Sequence, residues 1–292
     1  MGKKVAILCG LNYTPLPSGW HLSGCINDVN LIKNMLIDAY DYQEQDIYLF
    51  RDDINSEDRY PTQSNIIGTL TNLCSLLTYD DELWFHYSGH GYSLEDKNNN
   101  VISNEQDNKN EIIFLYDNNA KNKAVKVYDD ELHTVIATAK CKVIMIFDAC
   151  NSGTIGDLPW NYRLVNKDKY KDSNDNKNNS PIIVRSRENN SNIENKQIYI
   201  ISSARDDQTS ADTYDPLMQV PLGILTMALL YCLRANRHSV SIPKLFCDIA
   251  KYIKDNGYNQ TPRLSSSSMN PNGFISKYDN IEIIGIESII ST

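Results

Sequence analysis

The sequence predicts an α/β fold in which a mostly parallel central sheet is covered by helices on both faces. The first observation behind this prediction is the length of 292 residues, which is enough to bury a large core. The second is the alternation, along most of the chain, of apolar runs of strand length with segments of helical period.

The predicted elements alternate in the order that βαβ units require. The first half of the chain holds strand KVAILCG and helix CINDVNLIKNMLIDAY, strand DIYLF and helix QSNIIGTLTNLCSLL, strand ELWFHYS and helix DDELHTVIATA, and then strand KVIMIFDA. The second half holds strand QIYIISSA, helices GILTMALLYCLRA and SIPKLFCDIAKYIKDNGY, and a last strand candidate near QTPRLSS.

Two polar tracts interrupt this pattern, at residues 93–110 and 166–180. Both are too poor in apolar side chains to offset the entropy of ordering, so we interpret them as surface insertions within one domain. We therefore predict a single domain over residues 1–292, made of a larger portion at 1–165, a flexible Asn/Lys-rich linker at 166–196 and a smaller portion at 197–292.

The charge and hydropathy of the chain exclude several classes of partner. A formal net charge of -9 and a pI of about 5.1 argue against a nucleic-acid-binding surface. No stretch approaches the roughly 20 apolar residues that span a bilayer, and the first residues lack a signal-peptide pattern. We expect a cytoplasmic protein without nucleic-acid or membrane partners.

The seven cysteines are odd in number and scattered, without a CxxC pair or histidines at zinc-finger spacing. A disulfide framework and a structural zinc site are therefore poor interpretations. Most buried cysteines are small apolar side chains, and six of the seven fit that interpretation. The exception is Cys150, which directly follows the apolar run VIMIFDA.

The carboxyl ends of the predicted strands carry the candidate catalytic groups, because functional groups of open α/β sheets gather there. His90 follows strand ELWFHYS between two glycines, whereas His86, inside that strand, is interpreted as a packed core histidine. A thiol becomes a strong nucleophile when a neighbouring imidazole takes its proton. We therefore predict Cys150 as nucleophile and His90 as base, with the N–H groups of Gly91 and Cys150 facing the developing oxyanion.

Five sequence blocks follow one another along the chain: GLNYTPLPSGWHLSGCINDV, DELWFHYSGHG, IFDACNSGTIGDLP, SSARDDQTSAD and QTPRLSSS. In content and order they resemble the caspase-like peptidases, and specifically the metacaspases, from Ala6 to about Ser267. Five ordered blocks are more specific than any single short motif. The resemblance implies a caspase-hemoglobinase-like three-layer α-β-α sandwich and a cysteine endopeptidase that uses Cys150 and His90.

The acid beside the nucleophile predicts the substrate preference. Asp148 and Cys150 are two residues apart and project to the same side if the strand is regular. An acid there would repel a thiolate unless a cation intervened, and a substrate Arg or Lys supplies that cation. We therefore expect polypeptide substrates that are cleaved after Arg or Lys.

The resemblance implies the same preference and extends the pocket. Metacaspases carry pocket acids that match Asp28 and Asp148, with a serine that matches Ser88. Cys25 lies in the same GCIND block as Asp28, and Asp206 lies in the DDQTSAD block, which is expected to form a wall of the substrate cleft. Without the resemblance, Asp28 is equally well explained as a first-turn acid favoured by the helix dipole.

Calcium is the cofactor that the resemblance implies. The family's site uses acids that match Asp129, Asp130 and Asp157, and its fourth ligand, an aspartate, aligns with Asn110. Hard oxygen ligands of this kind suit Ca²⁺, and the lost charge at Asn110 should weaken binding. The alternative is that Asp129 and Asp130 merely start the helix DDELHTVIATA, where acids are favoured.

Basic residues in the predicted linker make self-cleavage a hypothesis, because exposed loops are preferred sites of nicking. They include Lys167, Lys169, Lys171, Lys177, Arg185 and Arg187. The first predicted strand begins near Lys4, so we expect a type I-like catalytic domain without a long prodomain, and the resemblance to metacaspases implies a monomer.

Two alternatives stay open. A legumain-like enzyme would cleave after Asn, although a neutral amide would not balance Asp28 and Asp148. A catalytically idle caspase-like scaffold or interaction module would use the same fold without chemistry, and the presence of both His90 and Cys150 argues against it.

Overall fold

The computed structural model of the protein describes residues 2–95, 109–150, 155–165, 182–189, 191–204 and 212–277. The helices in these ranges are α1 (Cys25–Tyr40), α2 (Gln63–Leu76), α3 (Asp129–Ile136), α4 (Ile224–Ala235) and α5 (Ile242–Asp255). The strands are β1 (Lys4–Gly10), β2 (Ile47–Arg51), β3 (Glu82–Ser88), β4 (Gly91–Glu95), β5 (Lys109–Tyr116), β6 (Ala124–Tyr128), β7 (Lys142–Asp148), β8 (Trp160–Val165), β9 (Ile182–Arg187), β10 (Ile198–Ala204), β11 (Asp212–Asp215), β12 (Val220–Gly223), β13 (Val240–Ser241), β14 (Thr261–Ser266) and β15 (Phe274–Ile275).

The central sheet has eight strands in the order β2-β1-β3-β7-β10-β14-β8-β9. The first five strands run parallel to one another, and β14, β8 and β9 continue the sheet with antiparallel pairing. The predicted α/β fold with a mostly parallel central sheet is therefore confirmed. The parallel strand β2 forms one edge of the sheet, and the antiparallel strand β9 forms the other.

Helices cover both faces of the sheet and create two apolar cores. Alternation along β1 sends Val5 and Ile7 into the core beneath α2 and α3, and Ala6 and Leu8 into the core beneath α1, α4 and α5. The helices present apolar side chains at helical spacing; in α1 these are Val29, Ile32 and Leu36. The protein is thus a three-layer α-β-α sandwich, as predicted.

Local sequence signals explain where two of the helices begin. The Thr62 hydroxyl accepts a hydrogen bond from the N–H of Asn65 at 3.3 Å and caps α2. Pro243 lies in the first turn of α5, where its missing N–H costs nothing.

Among the described residues, no helix combines the length and apolar character that crossing a bilayer requires.

The structure corrects part of the predicted flexible linker at 166–196. Residues 182–187 form β9, which pairs with β8 and becomes the sheet edge. Arg185 and Arg187 stack over the Trp160 ring at 5.3 and 5.6 Å. The apolar run in this strand is only three residues long, too short to predict a strand, and its stability comes from the partner strand. Residues 166–181 lie outside the described residues.

A small sheet of order β4-β5-β6 follows β3, and neither β4 nor β6 was predicted. Its strands include residues 93–95 and 109–110, which belong to the tract predicted as an insertion, whereas 96–108 lie outside the described residues. The small sheet lies beside the end of β3, because Gly91 at the start of β4 pairs with Ile113 in β5.

The register between β3 and β7 positions the functional site. Ser88 is paired with Asp148 at the carboxyl ends of these adjacent parallel strands. His90 and Cys150 each come two residues after this pair, so both leave the sheet at the same place. Parallel strands with matched ends therefore bring two residues together that are 60 positions apart in the sequence.

Candidate active site

His90 and Cys150 line one cavity of about 180 Å³, together with Gly19, Trp20, Gly91, Tyr92 and Phe114. Cys150 is only 6% exposed, and it forms part of the wall of this cavity. The structure thus brings together the two residues that the sequence predicted as base and nucleophile.

The orientation of His90 is set by a backbone carbonyl. Its Nε2 lies 2.8 Å from the carbonyl oxygen of Trp20, in the short 3₁₀ helix Ser18–Trp20. A carbonyl oxygen can only accept, so Nε2 carries the proton and Nδ1 is the basic nitrogen of the neutral ring. This contact defines the tautomer that a base acting on Cys150 needs, and nothing in the sequence indicated that Trp20 would make it.

Aromatic side chains hold the His90 ring in place. Tyr13 lies against it at 4.8 Å between ring centroids, and Trp20 meets it edge-on at 5.6 Å. The Tyr13 hydroxyl accepts the N–H of His90 at 3.0 Å, and the Tyr87 hydroxyl donates to the carbonyl oxygen of His90 at 2.8 Å. Backbone and ring of His90 are therefore both fixed.

Tyr13 is itself anchored by a buried acid. The Asp52 carboxylate accepts the N–H of Tyr13 at 2.5 Å and the Tyr116 hydroxyl at 2.9 Å. Tyr13 has a φ of 56°, in the left-handed region, and the hydrogen bond to Asp52 stabilises this conformation. Burial raises the pKa of Asp52, while the hydrogen bonds that it accepts oppose the rise.

The backbone around Cys150 is closely packed. The Ser203 hydroxyl donates to the carbonyl oxygen of Ala149 at 2.7 Å, which ties the end of β7 to β10. A Cβ atom at Gly91 would overlap the carbonyl oxygen of Cys150, so only glycine fits at this position. Gly91 therefore lies directly against the candidate nucleophile, where the sequence placed it; its role toward an oxyanion stays a prediction.

Two carboxylates, Asp28 and Asp148, are buried at the same end of the sheet as the candidate dyad. Asp28 lies in the first turn of α1, and Asp148 is the last residue of β7. The Ser88 hydroxyl donates to Asp28 Oδ2 at 2.5 Å. The three predicted pocket residues are thus brought together by the end of β3, the end of β7 and the start of α1.

The N-terminus of α4 supplies donors to both acids. The N–H of Gly223 donates to Asp28 Oδ1 at 3.0 Å, and Thr226 donates to Asp148 Oδ2 through its N–H at 2.7 Å and its hydroxyl at 2.8 Å. A Cβ atom at Gly223 would overlap Asp148 Oδ2 and lie 2.9 Å from Asp28 Oδ2, so the two carboxylates flank this glycine. The positive end of the α4 dipole therefore lies beside both carboxylates.

The other two predicted pocket residues are Cys25 and Asp206. Cys25 is buried in the first turn of α1, and its N–H donates to Asn12 Oδ1 at 3.1 Å. It lies three residues before Asp28, on the same face of the helix. Asp206 lies outside the described residues. Gly223 and Thr226 were missed, because their sequence looks like an ordinary apolar helix start.

A second acidic cluster lies near α3. Carboxylate oxygens of Asp129, Asp130 and Asp157 all fall within 4.8 Å of one another. Asn110 lies in β5, one residue before Glu111, whose N–H donates to Asp129 Oδ2 at 2.7 Å. The three carboxylates form an all-oxygen donor set, which is the chemistry that Ca²⁺ prefers.

The segment that carries Asp157 is held from two sides. The carbonyl oxygen of Gly156 lies 3.0 Å from His133 Nδ1 in α3, and the carbonyl oxygen of Asp157 accepts the side-chain amide of Asn189 at 2.7 Å. Gly156 and Asp157 both have positive φ, 91° and 47°, which turns the chain back toward α3. Asp157, which follows Cys150 by seven residues in the sequence, thus lies close to Asp129.

Burial and the neighbouring Asp157 carboxylate raise the pKa of Asp129 to about 7, well above its ordinary value of 3.8. The N–H groups of Glu111 and Asp130 oppose this rise by donating to the carboxylate. A cation at the cluster would remove the repulsion between the aspartates. The electrostatics of this cluster therefore fit a cation site.

The chain is similar in sequence to proteins of one family. Residues 4–159 match the family model described as metacaspase, peptidase C14 domain. Metacaspase-1 of Schizosaccharomyces pombe is 30% identical over 303 residues, which cover 91% of this chain and 68% of that protein. Metacaspase-1 of Cryptococcus neoformans is 35% identical over 164 residues, which cover 55% of this chain and 34% of that protein.

The fold of the chain is similar to that of a protein of known structure. A protein from Geobacter sulfurreducens superposes with a TM-score of 0.56 at 17% identity, covering 92% of this chain and 94% of that one. The alignments with the two metacaspases span about a third and about two thirds of those relatives' lengths.

The family model that matches is a peptidase model, so the domain is by class a caspase-like cysteine-type endopeptidase. Within that class, the chain belongs to the metacaspase family. The family inferred from the five sequence blocks and the caspase-like fold that it implied are both confirmed.

The raised pKa of Asp129 predicts a pH-dependent stability in calcium-free buffer. Between pH 3.8 and about 7 the folded protein keeps a proton that the unfolded chain has released, so stability falls as pH rises through this window. Asp129→Asn removes this loss, and its advantage over the unmodified protein should grow from pH 5 to pH 7 by at most about 1.4 kcal/mol per pH unit, then level off.

Urea unfolding with a chelator present, at several pH values, measures this difference. Asp38→Asn, at an exposed position on α1, is the matched control and should show no such growth. An advantage of Asp129→Asn that is the same at every pH would contradict the prediction.

Proposed function

We propose that this domain hydrolyses peptide bonds after Arg or Lys, with Cys150 as nucleophile and His90 as base. The observation that carries the proposal is the pairing of Ser88 with Asp148, which brings His90 and Cys150 into one cavity and two buried acids to the same end of the sheet. Catalysis and specificity would then come from the same pair of strand ends.

In the proposed reaction, His90 Nδ1 takes the Cys150 thiol proton and the thiolate attacks the scissile carbonyl carbon. The C–N bond breaks, the leaving amine takes the proton from Nδ1, and a thioester remains on Cys150. Water then gives a proton to His90 Nδ1 as it attacks the thioester carbon. The C–S bond breaks, the acid product leaves, and Nδ1 returns the proton to the Cys150 sulfur. The Trp20 carbonyl oxygen accepts Nε2–H throughout and so stabilises the imidazolium that forms.

Asp28 and Asp148 support the preference for a basic side chain. Two carboxylates that flank one glycine repel each other, and a guanidinium or ammonium group that approaches both of them relieves that repulsion. An Arg guanidinium can also donate to both at once, because its N–H groups form a planar fork. A neutral or acidic substrate side chain would leave these two buried charges without this compensation.

We further propose that Asp129, Asp130, Asp157 and the amide oxygen of Asn110 hold Ca²⁺. A bound ion would supply positive charge that links Asp129 and Asp130 at the start of α3 to Asp157, seven residues after Cys150. This link is how calcium would stimulate cleavage at a distance from the ion.

Self-processing is proposed at the lysines of residues 166–180. Arg185 and Arg187 are poorer candidates, because they belong to the paired strand β9 and stack on Trp160. A paired strand must leave its partner before its backbone can enter a peptidase cleft.

The function is tested with fluorogenic peptides that end in Arg, Lys, Asp or Asn, incubated with the protein while calcium is titrated from zero to millimolar. We expect cleavage after Arg and Lys, with kcat/KM at least about a hundredfold lower for Asp and Asn, because only a cation balances the two pocket acids. Cys150→Ala should abolish the activity, whereas Cys247→Ala, at a half-buried cysteine on α5, should keep it.

Gel electrophoresis of the same incubations tests self-processing, since fragments should appear with the unmodified chain and not with Cys150→Ala. Cleavage after Asn would instead support a legumain-like enzyme. If none of the peptides is cleaved, the result would support a catalytically inactive scaffold or interaction module. Activity that survives in Cys150→Ala would contradict the proposed nucleophile.

The calcium site predicts opposite effects of two substitutions. Asn110→Asp adds a charged ligand and should lower the calcium concentration for half-maximal activity several-fold, whereas Asp157→Asn should raise it about tenfold or more. The same titration measures both, with Asn72→Asp on the exposed face of α2 as control. Equal half-maximal concentrations in all four proteins would contradict the assignment of these residues.

A further inference from the structure

Beneath the proposed pocket for the basic side chain lies a short buried chain of hydrogen bonds. Asp148 Oδ2 accepts two bonds from Thr226, and Thr226 Oγ1 in turn lies 3.2 Å from His86 Nε2. Both Thr226 and His86 are wholly buried. This chain runs from the pocket acid into the interface between β3 and α4.

The direction of each hydrogen bond follows from the charge at the pocket end. A carboxylate only accepts, so the Thr226 hydroxyl donates to Asp148. The Thr226 oxygen is then the acceptor for His86, and His86 Nε2 carries the proton. The other nitrogen, Nδ1, is buried and has no hydrogen-bond partner among the described residues, so it remains an unprotonated acceptor. Burial lowers the pKa of His86 to about 3, which keeps the ring neutral.

The two bonds from Thr226 fix the plane of the Asp148 carboxylate, because both end on one oxygen. The N–H bond comes from the rigid first turn of α4, while the hydroxyl could rotate away about χ1. The His86 N–H removes that freedom, since it leaves the Thr226 oxygen as an acceptor and its hydrogen directed at Asp148. His86 lies two residues before Ser88 on β3, on the same face of the strand.

We propose that Thr226 and His86 are positioning residues that hold Asp148 for recognition of the basic substrate side chain. This inference rests on the proposed function and adds to it two residues that do not touch the substrate. Their effect is on binding of the basic side chain, and not on the chemistry at Cys150.

The decisive variant is Thr226→Val, which keeps the shape and the backbone N–H and removes only the hydroxyl. We expect KM for an Arg peptide to rise about tenfold, the order of one hydrogen bond to a charged group, with kcat within about twofold. The rate at which iodoacetamide alkylates Cys150 should not change. Thr226→Ser should restore KM to within about threefold, and Thr71→Val, on an exposed face of α2, should leave KM unchanged.

The second variant pair acts at His86. Gln can still donate to the Thr226 oxygen and Leu cannot, so His86→Leu should raise KM for the Arg peptide about threefold more than His86→Gln does. Urea unfolding midpoints of all variants separate a loss of folding from a loss of recognition.

Three outcomes overturn the inference. One is an unchanged KM in Thr226→Val, and another is a parallel loss of kcat and of Cys150 alkylation, which a merely structural role would produce. The third is an unmodified protein that does not cleave after Arg or Lys; it refutes the proposed function itself and is recognised without any variant.

Discussion

The register between two adjacent parallel strands is the constraint on which the site depends. Because Ser88 pairs with Asp148, the chain leaves β3 and β7 at the same level, and His90 and Cys150 meet two residues later. A slip of either strand by one residue would move its end out of line with its neighbour and would turn its side chains to the opposite face of the sheet. The apolar cores on both faces of the sheet hold the register, since each strand buries alternate side chains against different helices.

The site also depends on contacts between the larger portion (1–165) and the smaller portion (197–292) of the chain. Asp28 and Asp148 belong to the larger portion, and their donors Gly223 and Thr226 belong to the smaller portion. α4 has no side-chain cap of its own, because its N-cap residue is Gly223, and the two carboxylates take that role. The contacts that dock α4 are therefore the same contacts that hold Asp28 and Asp148 in place. The acids gain donors and the helix gains a cap.

Much of the fold could be predicted from the sequence, because the strands buried on both faces are long apolar runs and the helices keep a clear apolar stripe. The strand β9 could not, since three apolar residues beside arginines acquire their conformation from β8 and Trp160. The positions of His90, Cys150 and Asp148 followed from strand ends. Trp20 and Thr226 could not be predicted, because Trp20 acts through a backbone carbonyl and Thr226 lies in an apolar helix.

We propose that Cys150 is a nucleophile beside a pocket for a basic side chain. The most direct measurement is peptide mapping of the cysteines labelled by a peptidyl chloromethyl ketone that ends in Arg, with an Asp-ended reagent run in parallel. We expect the Arg-ended reagent to modify Cys150 alone among the seven cysteines, much faster than the Asp-ended reagent does. Labelling of a different cysteine, or equal rates with the two reagents, would contradict this proposal.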